Sequence, residues 1–516
     1  LPESGIEENA MSHSWRRTPL SLSLVLSLSL AGLLGGCSAL PAVGPDYRAP
    51  IAATLLPDSQ WQAALPHEGQ DARLIDWWRS FDDPVLLALL TRAEADSPNL
   101  AEAVARIDEA RAALGGTDAP HWPALTAGGH VTRNNGSAEL PQPVMTTHGI
   151  RLDARWEIDL FGHVRRANEA ASARLDSQQQ RWHAARVTLA AEVASQYVNY
   201  HVCRQTQRTL QADLQSRRAT ARIVSEAATA GLSAPAEARL AHASAAAAAD
   251  AAAAQEAACV LLQKSLVTLT GLDHEALRAL LDQAPAQLPQ PRTFRVASLP
   301  LAWLAQRPDL AASERQLAAA SADIGVATAH RYPRLALVGN LTRDKSHPDD
   351  GPALLARPWF FGPSLSLPLF DGGALAANQQ AAQARYAQAL ARYRQAVRAA
   401  VEEVETALVL LDAAATRSDE AHIAAEGYRA HFAANEQHWR AGGISLLTLE
   451  ESRRLSSQAE RQEIARQQER VLHWIALYKA LGGGWQADRP PPAPIAESAP
   501  APAAPNTLAR TGDLLP

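Results

Sequence analysis

The stretch "WPALTAGGHVTR", residues 122–133, returns as "YPRLALVGNLTR", residues 332–343, so that Pro123 and Pro333, and Arg133 and Arg343, stand 210 positions apart. Working outward, "SPNLAEA" from Ser97 pairs with "RPDLAAS" from Arg307, and Pro98 and Pro308 are again 210 apart. Phe161 in "EIDLFGHVRRAN" and Phe370 in "SLPLFDGGALAAN" differ by 209, and the pairs Gly231/Gly442 and Gly271/Gly482 by 211. Offsets this steady across the chain define two direct repeats, each too long to be a solenoid unit.

Inside each repeat the periodicity changes. "ALTAGGHVTRN" and "THGIRLDARWEIDLF", like "RLALVGNLTRD" and "WFFGPSLSLPLF", partly alternate small or apolar with polar residues, the pattern of a strand with two different faces. Turn-rich segments at 134–146 and 344–357 separate each pair. These four strand candidates have the length of tilted membrane-spanning β-strands. Trp156, Phe161, Trp359, Phe360, Phe361 and Phe370 at their ends suit an interfacial girdle. The alternative, soluble hairpins of a small sandwich, needs further strands to cover their faces, and the rest of the sequence is helical.

No proline interrupts the chain from Phe161 to Gly231; as one helix at about 1.5 Å per residue this segment extends roughly 100 Å. The chain turns at "TAGLSAP" and returns through "ASAAAAADAAAAQEAA", and the second repeat turns at "RAGGIS" and returns to "KALGGGW". Each repeat therefore predicts a two-strand β-hairpin carrying a long α-helical hairpin. Cys203 lies 28 residues before Gly231 and Cys259 lies 28 after it, so an antiparallel hairpin folding there brings the two thiols side by side as a disulfide. If the helices present other faces, they are two buried free thiols instead.

The expected organisation is a signal peptide over 1–36 with its start at Met11; a lipidated extended segment over 37–76; a first repeat over 77–288, with strands at about 123–161 and a helical hairpin at about 162–288; a second repeat over 289–486, with strands at about 334–370 and a helical hairpin at about 371–486; and a disordered Pro/Ala-rich tail over 487–516. Arg16 and Arg17 precede the apolar run Leu20–Leu34, which is shorter than a transmembrane helix requires. "LGGC", ending at Cys37, resembles a lipobox, which implies cleavage before Cys37, acylation of that cysteine and, with Ser38 following it, sorting to the outer membrane.

Bulk properties exclude several classes. Hydrophobic residues make up 47% of the 516, but aromatics only 5%, which favours alanine-rich helices packed through small side chains over a bulky globular core. A formal charge of −6 without a long basic run argues against a nucleic-acid partner. The segment "HEALR" from His274 has Arg278 where a zinc-binding H-E-x-x-H motif needs histidine, and no phosphate-binding loop, nucleophile elbow or dinucleotide fingerprint occurs. No enzyme, cofactor or metal site is expected. Four strands cannot close a barrel, and open strand edges in lipid leave backbone groups unsatisfied, so closure requires other copies of the chain.

"AVGPDYRAP", "WWRSFDDPVLLALL", "WEIDLFGHVRR", "QRPDLAASERQLAAASADIGVATAHRYPRLAL", "PLFDGGALAANQQAAQARYAQALARYRQAV" and "LYKALGGGW" occur in that order and closely resemble the TolC-like outer-membrane factors, in particular their NodT-type efflux lipoproteins. The resemblance spans nearly the whole mature chain. It implies a fold that is mainly α with a membrane β-barrel portion, and a homotrimer whose twelve strands share one barrel continued by an α-helical periplasmic tunnel. It also implies a passive duct for drugs or other small toxic compounds, served by a periplasmic membrane-fusion adaptor and an inner-membrane transporter of the RND or MFS type, and embedded in outer-membrane lipid. Alternatives with a related architecture are the exit duct of a type I protein secretion system and, further off, a lipid-anchored trimeric coiled-coil adhesin.

After Gly442 and Gly443, Leu447, Glu451 and Arg454 fall at i, i+4 and i+7 on one helical face. By resemblance these positions form a closed aperture: a leucine ring, an acidic ring, and an arginine tying neighbouring helices. Glu451 stands where aspartate is usual, Glu450 where leucine is customary, and Thr448 where some members carry a second aspartate. Glu450 either joins the aperture or faces solvent. The tips around Gly231 and Leu232 and around Gly442 and Gly443 resemble the turns that meet the adaptor, and a tight turn alone also calls for their glycines.

Overall fold

The computed structural model describes residues 42–50, 77–137, 140–291, 306–349 and 351–483. The expectations for the signal peptide, Cys37 and the C-terminal tail lie outside these residues. The described helices are α1 (Pro84–Asp96), α2 (Pro98–Asp118), α3 (His163–Thr229), α4 (Pro235–Thr270), α5 (His274–Leu281), α6 (Pro308–Ala329), α7 (Ala374–Arg440) and α8 (Leu446–Ala480). The strands are β1 (Ala124–Ser137), β2 (Leu140–Ile158), β3 (Arg334–Pro348), β4 (Leu354–Ala356) and β5 (Trp359–Ser366). α3 and α7, related by the repeat, are each 67 residues long. The described residues divide into two compact units, one built mainly from Asp118–Ala167 and Ala322–Ala382, the other mainly from the segments 77–117, 168–291, 306–321 and 383–483.

The first unit is an antiparallel sheet in the order β1-β2-β3, with β4 and β5 both pairing with β3. The register sorts the side chains by face. Leu152 lies opposite Ala127 and Leu341, Trp156 opposite Leu337, and β5 sets Trp359 against Leu341 and Phe361 against Gly339. On the other face Asp153 lies opposite Thr126 and Asn340, and Arg151 opposite Gly128 and Thr342. There the Asn340 amide donates to Asp153 Oδ1 at 2.7 Å, and Arg151 pairs with Asp153 at 2.7 Å. One face apolar and exposed, the other polar, is the composition of a wall between lipid and a wet lumen. β1 forms one edge of this sheet.

The loops are shorter than the turn-rich composition suggests. β1 and β2 stay paired through Arg133↔Thr146, pass an irregularity between Asn134 and Gly136, and pair again at Ser137↔Leu140. β3 likewise runs on to Pro348, opposite Met145. β-Branched Thr146 and Thr147 support extended backbone there, and an antiparallel ladder, once registered, satisfies polar backbone beyond the apolar band as well as within it. The fourth expected strand begins at Trp359 as β5 but ends at Ser366, and β4 forms inside the expected turn segment. Arg357 and Pro358 part the two, since proline brings no N–H to the ladder, and the Pro358 carbonyl accepts from Thr342 N at 3.0 Å.

The second unit is helical. α4 buries Ala241, Ala248, Ala252, Cys259 and Leu266, a seam advancing in steps of seven and four, as coiled-coil packing requires. Cys203, Leu210 and Val224 of α3, at multiples of seven, are buried in turn. Cys203 and Cys259 form a disulfide with a Cα–Cα separation of 5.6 Å. Alanine in the seam lets the helix axes approach closely; it also makes α4 the one helix among the described residues long and apolar enough to cross a membrane by length and composition. The bridge to α3 places α4 in the hairpin instead.

A larger core forms where Trp77, Phe81 and α1 pack on the long helices. Trp77 is buried and stacks on Trp474 of α8 at 4.3 Å between ring centroids, so the tryptophans of "WWRSF" act as packing anchors. Asp83 caps α1, its Oδ1 accepting from Val85 N and Leu86 N, while its Oδ2 accepts the Tyr197 hydroxyl of α3 at 2.8 Å. Burial beside this group pushes His201 down to about 4, so the imidazole sits neutral in the core.

The disulfide closes a 56-residue separation, for which chain-entropy reasoning gives about 4 kcal/mol. Cys203→Ser should therefore lower the unfolding midpoint of the purified protein by several degrees, read by circular dichroism. An unchanged midpoint would show that the bridge constrains nothing.

Candidate functional site

The two hairpin tips are built by the same device. Leu232 N donates to Ala227 O at 2.8 Å and Gly231 N to Ala228 O at 3.1 Å; Gly443 N donates to His438 O at 2.8 Å and Gly442 N to Trp439 O at 2.9 Å. Each pair of bonds is a Schellman closure, which needs a left-handed residue after the helix. Gly231 and Gly442 supply it, both at φ 75°. Beyond the turns the tips differ. Pro235 opens α4 with no side-chain cap, whereas Ser445 caps α8 by accepting from Thr448 N at 3.2 Å. Leu232 is 83% exposed at the first tip.

The first turns of α8 have two sides. Leu446, Leu449, Glu450, Arg453, Ser456 and Ser457 are buried, while Leu447, Glu451, Arg454 and Gln458 form an exposed stripe at i, i+4, i+7 and i+11. The structure thus brings Leu447, Glu451 and Arg454 together on one face. Arg454 clasps Glu451 with two nitrogens, at 2.6 and 3.0 Å, and reaches Gln458 at 3.4 Å. This fork holds the Glu451 carboxyl below its usual range, so it stays charged in mildly acidic solution. Within the chain these partners of Arg454 belong to its own helix.

Glu450 takes neither of the places expected for it. It is neither on the stripe nor in solvent, but 9% exposed and turned onto the first hairpin. Its Oε2 accepts from Arg217 Nη1 at 3.0 Å and from the Ser244 hydroxyl at 2.7 Å, and its Oε1 pairs with Arg453. Arg217 also binds Asp213 at 2.9 Å. Arg453 donates to the Thr220 hydroxyl at 3.1 Å and lies over the Phe432 ring at 5.4 Å; burial draws its pKa down. Two carboxylates and two guanidiniums thus share one pocket with little net charge. Around it Ala221 and Val224 of α3, Ala241 of α4, and Leu446 and Leu449 of α8 form a small apolar cluster.

Arg217, Ser244, Asp213, Thr220 and Arg453 were not among the sequence candidates. One signal pointed to them: Arg217 continues the sevenfold row Cys203, Leu210, Arg217, Val224, and an arginine in an alanine-lined seam needs a buried partner. Cys203 and Cys259 are joined, and the four tip residues lie at the turns. Among the described residues no three His, Cys, Asp or Glu side chains are grouped to hold a metal.

A sheet with one apolar exposed face, together with two long helical hairpins of which one bears a charged stripe beyond its tip, defines a membrane channel protein of the outer-membrane duct class. The family model for outer membrane efflux proteins matches residues 89–272 and 299–483, and the chain belongs to that family. It is 30% identical over 447 residues to the pyoverdine export outer membrane protein OpmQ of Pseudomonas putida, covering 84% of this chain and 94% of the relative. It is 28% identical over 466 residues to nodulation protein T of Rhizobium leguminosarum bv. trifolii, covering 88% and 96%. Among solved structures, the outer-membrane channel OprN superposes with a TM-score of 0.75 at 28% identity, over 86% of this chain and 99% of that one. The fold is TolC-like and its place is the outer membrane.

Removing one member of a buried ion pair leaves an uncompensated charge, a loss of about 3–5 kcal/mol. Glu450→Ala should therefore lower the unfolding midpoint markedly, whereas Glu451→Ala, at an exposed pair, should leave it nearly unchanged. Equal midpoints for the two variants would remove Glu450 from the interior.

Proposed function

We propose that the chain is the passive exit duct of a tripartite efflux system that expels drugs or other small toxic compounds. Three copies supply twelve strands to one barrel and their helical hairpins to one tunnel wall, with each copy anchored through an acylated Cys37. The observation that carries this reading is the sheet's division into an apolar and a polar face with an edge at β1, since an open edge in lipid is untenable. Membership of the efflux family supports the transport role.

In this reading the tips at Gly231, Leu232, Gly442 and Gly443 meet a periplasmic adaptor, which couples the duct to an inner-membrane transporter of the RND or MFS type. The exposed Leu232 offers apolar surface for such a contact. Leu447, Glu451 and Arg454 line the closed aperture, where threefold symmetry brings three copies of each side chain together. Three carboxylates at close quarters repel unless neutralised, and the Arg454 fork on each Glu451 supplies that neutralisation. The aperture therefore stays closed without an added cation. Opening requires the stripe to move outward as a unit, and the chain itself performs no chemistry on its cargo.

The double substitution Glu451→Ala with Arg454→Ala should raise the single-channel conductance of the purified protein in planar bilayers severalfold. Unchanged conductance would take the pair out of the aperture. Deletion of the gene should increase susceptibility to small toxic compounds; loss of a secreted protein with unchanged susceptibility would favour the secretion duct.

A further inference from the structure

The repeat-related arginines Arg133 and Arg343, the first feature of the sequence, have no part in the aperture or the tips. The strand register places them. Along β3 the apolar face runs through Leu335, Leu337, Gly339 and Leu341, and the same face continues as Arg343, Lys345 and His347. Opposite these lie Ile150, His148 and Thr146 of β2, and Thr146 in turn pairs with Arg133 of β1. Leu355 of β4 lies opposite Lys345, and Arg357 follows one residue beyond β4. The lipid-facing surface thus changes, within two residues of Leu341, from apolar to cationic.

The basic rim belongs to one end of the sheet. The helix ends adjoining the strands connect at Ile158, Arg334 and Ser366, whereas the cations stand at the opposite end, beside the turns between β1 and β2 and between β3 and β4. The helix-side end of the same face carries Trp156, Leu335, Leu337 and Leu365, with no lysine or arginine in register. At the turn end Trp359 and Phe361 mark the interface, and the cations come next. Arg343, Lys345 and Arg357 are exposed, and among the described residues none of them has an ion-pair partner. Asp344 points to the other face, over Gly149 and beside His130 at 3.8 Å, and Asp349 is taken by Arg133 at 2.7 Å.

We infer that this rim binds the phosphate groups of lipid headgroups in the outer leaflet of the outer membrane. An unpaired guanidinium and ammonium next to an aromatic belt fit phosphate oxygens at headgroup depth, the guanidinium bidentately. Placing them at one end of the sheet suits a bilayer whose two leaflets differ in headgroup charge. In a closed barrel each copy presents one such rim, so the phosphorylated glycolipid of the outer leaflet fastens the wall from outside and fixes its depth. The inference rests on the reading of the sheet as outer-membrane barrel wall.

The test uses the full-length protein purified in detergent. Native mass spectrometry and thermal melts are recorded with added lipid A carrying both phosphates, with enzymatically dephosphorylated lipid A, and with millimolar inorganic phosphate. The wild-type chain should bind phosphorylated lipid A and melt higher with it, respond at least about tenfold more weakly to the dephosphorylated form, and ignore inorganic phosphate. Arg343→Gln with Lys345→Gln and Arg357→Gln should lose that preference by at least about tenfold, and Arg343→Lys with Arg357→Lys should keep most of it. Equal affinity of wild type and the triple glutamine variant, or no preference for phosphorylated lipid, overturns the inference. If the triple variant misfolds, the lysine variant and the wild-type lipid comparison decide alone. Recovery of the wild-type chain outside the outer-membrane fraction would instead overturn the barrel reading, which separates the two failures.

Discussion

Antiparallel pairing of α3 with α4 about the left-handed glycine at 231 is the constraint on which the helical unit depends. That single turn fixes the register of the hairpin, and the register decides which side chains meet across the seam. It brings Cys203 to Cys259 and Arg217 to Ser244, and so prepares the place where Glu450 of α8 docks. Slipping the hairpin by one residue would part the sulfurs and separate the Arg217 guanidinium from Ser244. Alanine makes the close approach feasible but specifies little, because one alanine packs against a helix much as the next does. The specification comes from the few non-alanine seam positions.

The two hairpins share a turn and differ in how they are closed. The first carries a covalent bridge between buried sulfurs. The second carries no cysteine, and α7 and α8 are tied by pairs at the surface: Arg417 with Glu469 at 2.9 Å, His422 with Glu463 at 2.7 Å and Arg429 with Glu460 at 3.1 Å. Exposed pairs of this kind add little stability and are screened by salt. Glu463 and Glu426 raise the pKa of His422, so that rung weakens as pH rises through the raised value. The hairpin bearing the aperture stripe thus has apolar core packing and exchangeable surface pairs between its helices, but no covalent bridge.

Much of this was legible in the sequence because repeats and periods survive without coordinates. Offsets near 210 located both hairpins, strand alternation located the wall, and equal distances from Gly231 located the disulfide. Glu450 was not legible, because its neighbour Glu451 is chemically identical and only the rotation of α8 about its axis separates them. Adjacent helical residues lie about 100° apart, so one of two carboxylates faces out while the other is buried. Choosing between them requires knowing what packs against α8, and those partners sit more than 200 positions earlier. The loop lengths are not legible for a related reason: glycine and asparagine mark turns by local preference, but a ladder already in register carries backbone past them.

Glu450 also shows why a buried charge is tolerated in a seam otherwise lined by alanine, valine and leucine. Replacing a buried ion pair by well-packed apolar residues is often neutral or stabilising, so the cluster is a poor device for stability alone. A leucine in this seam would accept several rotations of α8, since apolar contact is not directional. A carboxylate held by Arg217 of α3 and Ser244 of α4 accepts one. Fixing that rotation also fixes the direction in which Leu447, Glu451 and Arg454 point, because these three and Glu450 belong to the same two turns of α8. The buried carboxylate and the exposed one are thus a single arrangement: the first sets the phase of the helix, and the second acts on whatever stands before it.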